Sequence, residues 1–261
     1  MIDIHTHILP GLDDGADSMT TALAMARAAA KEGITDIIAT PHHVNGNYRN
    51  PASDVQTAVW NFQSRLQTEG IPVTLHPGQE IRVHDDLIAA RDRGELLTLA
   101  GTSYLLIEMP GHEFPKEMKE LVSNLAGKGL RPVIAHPERN RVIRENHRLL
   151  AELVQLGASA QVTTHSLLGE FGERIEKSAW SLCRSGLIHL VSSDAHHVER
   201  RAFSLTQAYR EISDRLGPEW SEYYRNNAAS LLANEPFAPN PALAKEPNLL
   251  HKFTKLFGTR A

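Results

Sequence analysis

Cysteine is nearly absent: Cys183 is the only one among 261 residues. A lone thiol excludes an intramolecular disulfide and fits a reducing compartment or indifference to redox. No run of about 18 apolar residues occurs, so no membrane-spanning helix is expected. Asp3, His5 and His7 interrupt the stretch where a signal peptide would need its apolar core, and a cytoplasmic location is expected. The net charge is only -4, so no global basic field recruits nucleic acid, although local basic patches remain compatible with that figure. Walker loops, dinucleotide fingerprints and G-x-S-x-G elbows are all missing. "HPE" at 136–138 matches the H-x-E of nucleic-acid deaminases, but their paired cysteines are not there.

What the chain does have is 14 histidines and 41% hydrophobic residues, enough for one large α/β domain or two small ones. Strand-like and helix-like patterns alternate. The expected strands are "MIDIHTH", "ITDIIATPHH", "PVTLHPGQEI", "SYLLIEMP", "RPVIAHPE", "ASAQVTTHS" and "LIHLVSSDAHH". Between them, helices are expected over 19–32 (capped by Ser18, ended by Gly33), 52–70 (capped by Ser53), near 84–93, over 115–128, 145–156 and 170–185. Two more follow, over 199–215 and about 218–234. Seven strands each followed by helix predict a parallel sheet. Polar residues collect at the C-terminal ends of many strands, which favours a (β/α) barrel over an open sheet with one switch point. Residues 236–261 are spaced by proline and read as a solvated or loosely docked tail. Its "LLHKFTKLF" segment could form a short basic amphipathic helix that touches a membrane or partner.

His5 and His7 are two apart, and residues i and i+2 of a strand face the same way, so both imidazoles can reach one ion. Alone, H-x-H says little. The pattern then repeats: His42 and His43 after the second strand, Glu80 in the third, Glu108 in the fourth, His136, Glu138 and Arg139 after the fifth, and Asp194, His196 and His197 after the seventh. Each follows an apolar run. The best ligand set is His5, His7, Asp14, His42, Glu80, Glu108, His136, Asp194 and His196. Asp13 competes with Asp14 for its place, and Asp3 is expected to brace the first strand. Imidazole and carboxylate without thiolate suit zinc, manganese or iron. At about three protein ligands per catalytic ion, the set implies two or three divalent ions. Their charge would outweigh the carboxylates and favour an anionic substrate. Arg139 and Arg201, or the adjacent Arg200, are placed to fork a phosphate.

"HTH", "DDG", "TPHH", "GQEI", "IEMP", "IAHPER" and "SDAHH" together resemble the PHP (polymerase and histidinol phosphatase) metal-dependent phosphoesterases. In order and spacing they resemble more closely the bacterial protein-tyrosine phosphatases of the CpsB/YwqE type, from Met1 to about residue 235. The resemblance implies a distorted seven-stranded (β/α) barrel over 1–235, TIM-barrel-like, with a trinuclear site of manganese, or of iron or zinc. It implies one ion on His5, His7, Glu80 and Asp194. A second would be shared through Glu80 and held by Glu108 and His136, and a third held by Asp14, His42 and His196. Arg139 and Arg201 would grip phosphate, with His43 and His197 beside or at the rim of the site. His165 departs from the small polar residues usual in its stretch.

The implied partner is the phosphotyrosine-bearing tail of a bacterial tyrosine kinase that controls capsular or exopolysaccharide export. No nucleic acid is expected, and a homo-oligomer is compatible. The expected reaction is direct hydrolysis without a covalent enzyme intermediate. Cysteine-based chemistry fails on the sequence, because the arginine position of C-x5-R counted from Cys183 is His189. The rivals are a PHP enzyme for a small phosphomonoester such as histidinol phosphate, a nucleic-acid phosphoesterase, or a non-enzymatic metal-binding module. A wide, shallow mouth would favour a peptide and a narrow one a metabolite.

Overall fold

The computed structural model describes residues 1–241. Its strands are β1 (Ile2–Thr6), β2 (Asp36–Ala39), β3 (His42–His43), β4 (Thr74–Pro77), β5 (Glu80–Arg82), β6 (Tyr104–Glu108), β7 (Arg131–Ala135), β8 (Ser159–Thr163) and β9 (Leu190–Ser192). The helices are α1 (Met19–Lys31), α2 (Ala52–Thr68), α3 (Leu87–Asp92), α4 (Met118–Gly127), α5 (Arg141–Glu145), α6 (Arg148–Gln155), α7 (Thr164–Leu167), α8 (Glu173–Arg184), α9 (Leu205–Leu216) and α10 (Pro218–Leu232). No described helix is long and apolar enough to cross a membrane.

The expected second and third strands are each split in two. Thr40 and Pro41 separate β2 from β3, and Gly78 with Gln79 separates β5 from β4, which ends on Pro77. Proline brings no N–H to a ladder. At Gly78 the chain also passes so close to Ile38 that a Cβ would lie 2.9 Å from its Cγ2. The result is two parallel sheets, of order β1-β2-β4 and β3-β5-β6-β7-β8-β9. Beyond β9 a single bridge, Thr6 with Ala195, reaches β1. The His7 N–H donates to the Ala195 carbonyl and the Asp194 N–H to the His5 carbonyl, both at 2.9 Å. Among the described residues no continuous ladder closes the strands. The structure is thus an α/β fold whose nine strands lie in two parallel sheets, where seven strands were expected, broken where proline interrupts pairing.

Alternation along the strands divides the core. Leu105 and Ile107 of β6 and Ile134 of β7 pack with the helices in the larger apolar cluster. Tyr104, Leu106, Val133 and Ala135 face a second cluster with Ile4, Ile38 and Leu190. Ala228 and Leu231 of α10 close that inner cluster, and the Asn227 amide donates to the His189 carbonyl at 2.9 Å. Glu108, two residues beyond Leu106, continues the inner face, so the strand direction that buries apolar side chains also delivers the carboxylate.

Helix ends follow local chemistry. The Ser18 hydroxyl accepts the Thr21 N–H and caps α1 as expected. The expected Ser53 cap is wrong: α2 starts at Ala52 behind Pro51, so Ser53 lies in its first turn. Asn140 caps α5 instead, taking the Ile143 N–H at 2.9 Å. The helix expected over 145–156 is α6, and a short helix not expected from the sequence, α5, precedes it. That expected over 199–215 begins only at Leu205, since the preceding loop is bent to carry Arg201 at a φ of 53°. Cys183 is buried in α8, and burial pushes its thiol up to about 12. The first tail residues sit against the inner cluster: Phe237 stacks on Tyr104 at 4.9 Å, and the Asn240 amide donates to the Gly186 carbonyl. The rest of the tail, "LLHKFTKLF" included, lies outside the described residues.

Candidate metal centre

Parallel pairing puts the C-terminal strand ends on one edge, and registry sets their level. His42 pairs with Glu80 and Arg82 with Glu108 across neighbouring strands. The register of β1 on β2 shifts between Asp3 and Thr6, an irregularity of the kind that re-aims side chains. His5 and His7 emerge there with their Nε2 atoms 3.3 Å apart. Asp3 braces the strand: its carboxylate accepts the Ser193 N–H at 3.1 Å, and burial pushes its carboxyl up to about 6.

All nine expected ligands converge. Four overlapping groups hold their ligand atoms within 4.8 Å of one another: His7, Asp14, His42 and His196; His5, His7 and Glu80; His5, His136 and Asp194; and His42, Glu80 and Glu108. The grouping differs in detail from that implied by resemblance. His136 falls with His5 and Asp194, and Glu108 with His42, although His136 Nε2 also lies 2.7 Å from Glu80 Oε1. Asp13 does not compete with Asp14. It accepts a hydrogen bond from His7 Nδ1 at 2.6 Å and another from the His42 N–H at 3.0 Å, while Asp14 reaches His196 Nε2 at 3.3 Å.

The donor set fits divalent cations. Asp13 and the Asp194 carbonyl can only accept, so His7 and His196 donate through Nδ1. His5 Nδ1 lies 3.2 Å from Gln161 Oε1. Each imidazole then turns an Nε2 lone pair inward, the tautomer that metal-binding histidines adopt when a second group holds their other nitrogen. Lone pairs this close need a proton or a metal cation between them. His196 Nε2 and Asp194 Oδ1 are buried and make no hydrogen bond, which points to the same ligand role.

Electrostatics agree. Burial disfavours charge on Glu80, yet His5, His42 and a hydrogen bond from His136 hold its carboxyl well below the usual range. Burial likewise opposes charge on His7, but Asp13 raises it well above an ordinary imidazole, so a binding metal cation must displace the Nε2 proton. Burial and the Glu80 charge push Glu108 up to about 7. Burial and Arg139 push His136 down to about 4, leaving a neutral imidazole suited to ligation.

Two guanidiniums complete the edge. Arg139 Nη1 and Arg201 Nη2 donate to the same oxygen, Asp194 Oδ2, at 2.7 and 2.5 Å. Arg200 is exposed, so Arg201 faces the site. Phe171 lies under both, 5.2 Å from Arg139 and 6.0 Å from Arg201. His136, Asp194 and Arg201 have φ of 31°, 55° and 53°. Non-glycine residues in this region cost on the order of 1–3 kcal/mol each, and such strain gathers at functional sites.

A profile of the CpsB/CapC family, described as capsular polysaccharide synthesis, matches residues 1–233. The chain belongs to the CpsB/CapC family. The tyrosine-protein phosphatase YwqE of Bacillus subtilis is 43% identical over 99% of both chains. The tyrosine-protein phosphatase CpsB of Streptococcus pneumoniae is 27% identical over 90% of this chain and 99% of its own. A chain from the crystal structures of those two proteins, described as metal-dependent tyrosine phosphatases, superposes with a TM-score of 0.90. It is 44% identical, and the match covers 92% of this chain and 98% of that one.

Within this CpsB/CapC chain, several site neighbours escaped sequence reading. Gln161 accepts at His5 from inside β8, and Arg82 pairs with Glu108 at 3.0 Å. The Asn45 amide donates to Glu108 at 3.1 Å, and Tyr48 stacks on His42 at 6.0 Å. Arg82 was open to detection, since parallel registry seats it opposite Glu108. Phe171 and Tyr48 come from loops and carry no periodic signal. His43 turns away and donates to the Asn50 carbonyl, and His197 accepts the Glu199 N–H at the rim. His165 is buried and donates to the Ser193 carbonyl beside Asp194, outside the four groups.

"DDG" needs its glycine. A Cβ on Gly15 would stand 2.0 Å from the His7 carbonyl oxygen. Gly15→Ala is expected to push away the turn carrying Asp13 and Asp14 and to cut activity ~10–100-fold, as losing the partner of a metal ligand does. Circular dichroism should still report a folded protein. Activity within twofold of the parent would refute the close-approach argument.

Proposed function

We propose that this chain is a metal-dependent protein-tyrosine phosphatase. Its expected substrate is the phosphorylated tail of a tyrosine kinase that governs capsular or exopolysaccharide export. The observation that carries the reading is Asp194, whose one oxygen lies toward His5 and His7 while the other takes both arginines. Ligand groups and phosphate-binding groups thus share one carboxylate. In this proposal the nine ligands hold two or three divalent ions, manganese first, with iron or zinc as alternatives. When bound, such ions supply Lewis-acid charge and lower the pKa of a coordinated water.

The chain's own residues do the rest. Arg139 and Arg201 offer planar forks matched to phosphoryl oxygens, and Phe171 supports both guanidinium planes. Gln161, Asp13 and the Asp194 carbonyl hold three imidazoles in the ligating tautomer. A phenolate leaves with little proton assistance, which rim His197 can supply. The mouth is open: the Asp14 side chain is 48% exposed and the two guanidiniums 31% and 27%. A closed pocket would suit a small metabolite; an open rim suits a residue presented on a protein. We read the two sheets and the Thr6–Ala195 bridge as one distorted (β/α) barrel, and residues 1–235 as its catalytic domain.

The test is turnover of p-nitrophenyl phosphate and of phosphotyrosyl peptides with added manganese. Both should proceed and both should stop with chelator. Rapid hydrolysis of histidinol phosphate with none of any phosphotyrosyl peptide would overturn the reading.

A further inference from the structure

A pocket of about 480 Å³ lies between α5 and α8. Four cations, Arg141, Arg144, Arg174 and Lys177, line it against one carboxylate, Glu145. Among its lining residues, His147 Nε2 lies 3.2 Å from the Ser178 hydroxyl, with Ser181 alongside. Arg144 is held in place, its Nη1 donating to the Arg139 carbonyl at 2.7 Å. No carboxylate pairs with Arg144 or Arg174 among the described residues. Arg141 is 3.7 Å from Glu145, and Lys177 is 2.6 Å from Glu173, all four exposed. Exposed pairs of this kind are worth about 0–1 kcal/mol, so an incoming anion displaces them at little cost.

The pocket's walls adjoin the catalytic edge along the chain, and Arg144 touches the Arg139 backbone. Its α5 wall begins two residues after Arg139, and α8 begins two residues after Phe171, the ring beneath Arg139. A peptide with its phosphotyrosine at Arg139 and Arg201 would lay its neighbouring residues across this surface. We propose that the pocket takes an acidic side chain of the substrate peptide, next to the phosphotyrosine, and so selects acidic sequence contexts. The proposal rests on the tyrosine-phosphatase reading.

The test compares phosphotyrosyl peptides carrying glutamate, or glutamine in its place, at positions up to six residues on either side. For the parent protein kcat/KM should favour one or more glutamate peptides by about tenfold, through KM and more strongly at low salt. In R174E/K177E that preference should vanish, while p-nitrophenyl phosphate, too small to reach the pocket, is turned over within twofold of the parent. Equal kcat/KM for both peptide sets in the parent, or an intact preference in the variant, would overturn the proposal. Binding of a fluorescent unphosphorylated glutamate peptide, read by anisotropy, is independent of catalysis. It should weaken at least about tenfold in R174E/K177E, and unchanged binding would count against the pocket. Failure of all phosphotyrosyl turnover with that binding difference intact would sink the activity and leave the pocket standing.

Discussion

Glu80→Gln is expected to lower kcat/KM for p-nitrophenyl phosphate by about a thousandfold or more and to lower the bound-metal count. Losing only the outer partner of a metal ligand costs ~10–100-fold, and Glu80 is far more central. Its Oε2 lies 3.3 Å from His5 Nε2, 3.3 Å from His7 Nε2 and 2.9 Å from His42 Nδ1, and its Oε1 lies 2.7 Å from His136 Nε2. Glutamine preserves shape and removes one negative charge, turning one oxygen into an NH2 that cannot ligate. The effect reads out without activity. Metal at a hundred times its Kd stabilises the folded state by about 2.7 kcal/mol, and a site weakened a hundredfold loses most of that. The Tm gap between metal-loaded and chelated protein should therefore shrink in Glu80→Gln. Parental metal content together with a parental Tm gap would remove Glu80 from the centre.

Which parts were open to sequence reading follows from physics. His5 and His7 were legible because strand periodicity sends i and i+2 the same way. Glu108 and His136 were legible as polar residues at the ends of otherwise apolar strands. The choice of Asp14 over Asp13 was not, because both sit in one irregular loop, and only the approach of Asp13 to His7 Nδ1 separates them. Arg201 over Arg200 likewise depends on a positive φ that no spacing rule foretells. Phe171, Tyr48 and Gln161 owe their positions to loops and to a neighbouring strand, so their partners are distant in sequence. The breaks at Pro41 and at Pro77 were visible as residues. Their consequence, two sheets rather than one, was missed because the apolar pattern runs straight through them. In α2 the same preference for pattern over punctuation placed the cap at Ser53 rather than Pro51.

Arg139→Ala and Arg201→Ala are each expected to lower kcat/KM by ~10²–10³-fold, the usual cost of removing one preorganised donor to developing charge, with metal content unchanged. Their combination should show two opposite departures from additivity. Both guanidiniums end on Asp194 Oδ2 and would grip one phosphate. Removing the first loosens the geometry the second relies on, so the double variant should lose less activity than the product of the singles. Stability should behave the other way. Each single variant leaves buried Asp194 one arginine, whereas the double leaves it only imidazoles, those of His5 and His7 among them, and breaking a buried ion pair costs about 3–5 kcal/mol. In chelated protein the double variant should thus lose more Tm than the two singles together. Lysine at 139 restores charge without the fork, so Arg139→Lys should recover stability more fully than kcat/KM. Unchanged kcat and KM in Arg139→Ala would end its phosphate role. Strict additivity in both activity and Tm would mean that the shared carboxylate does not couple the two arginines.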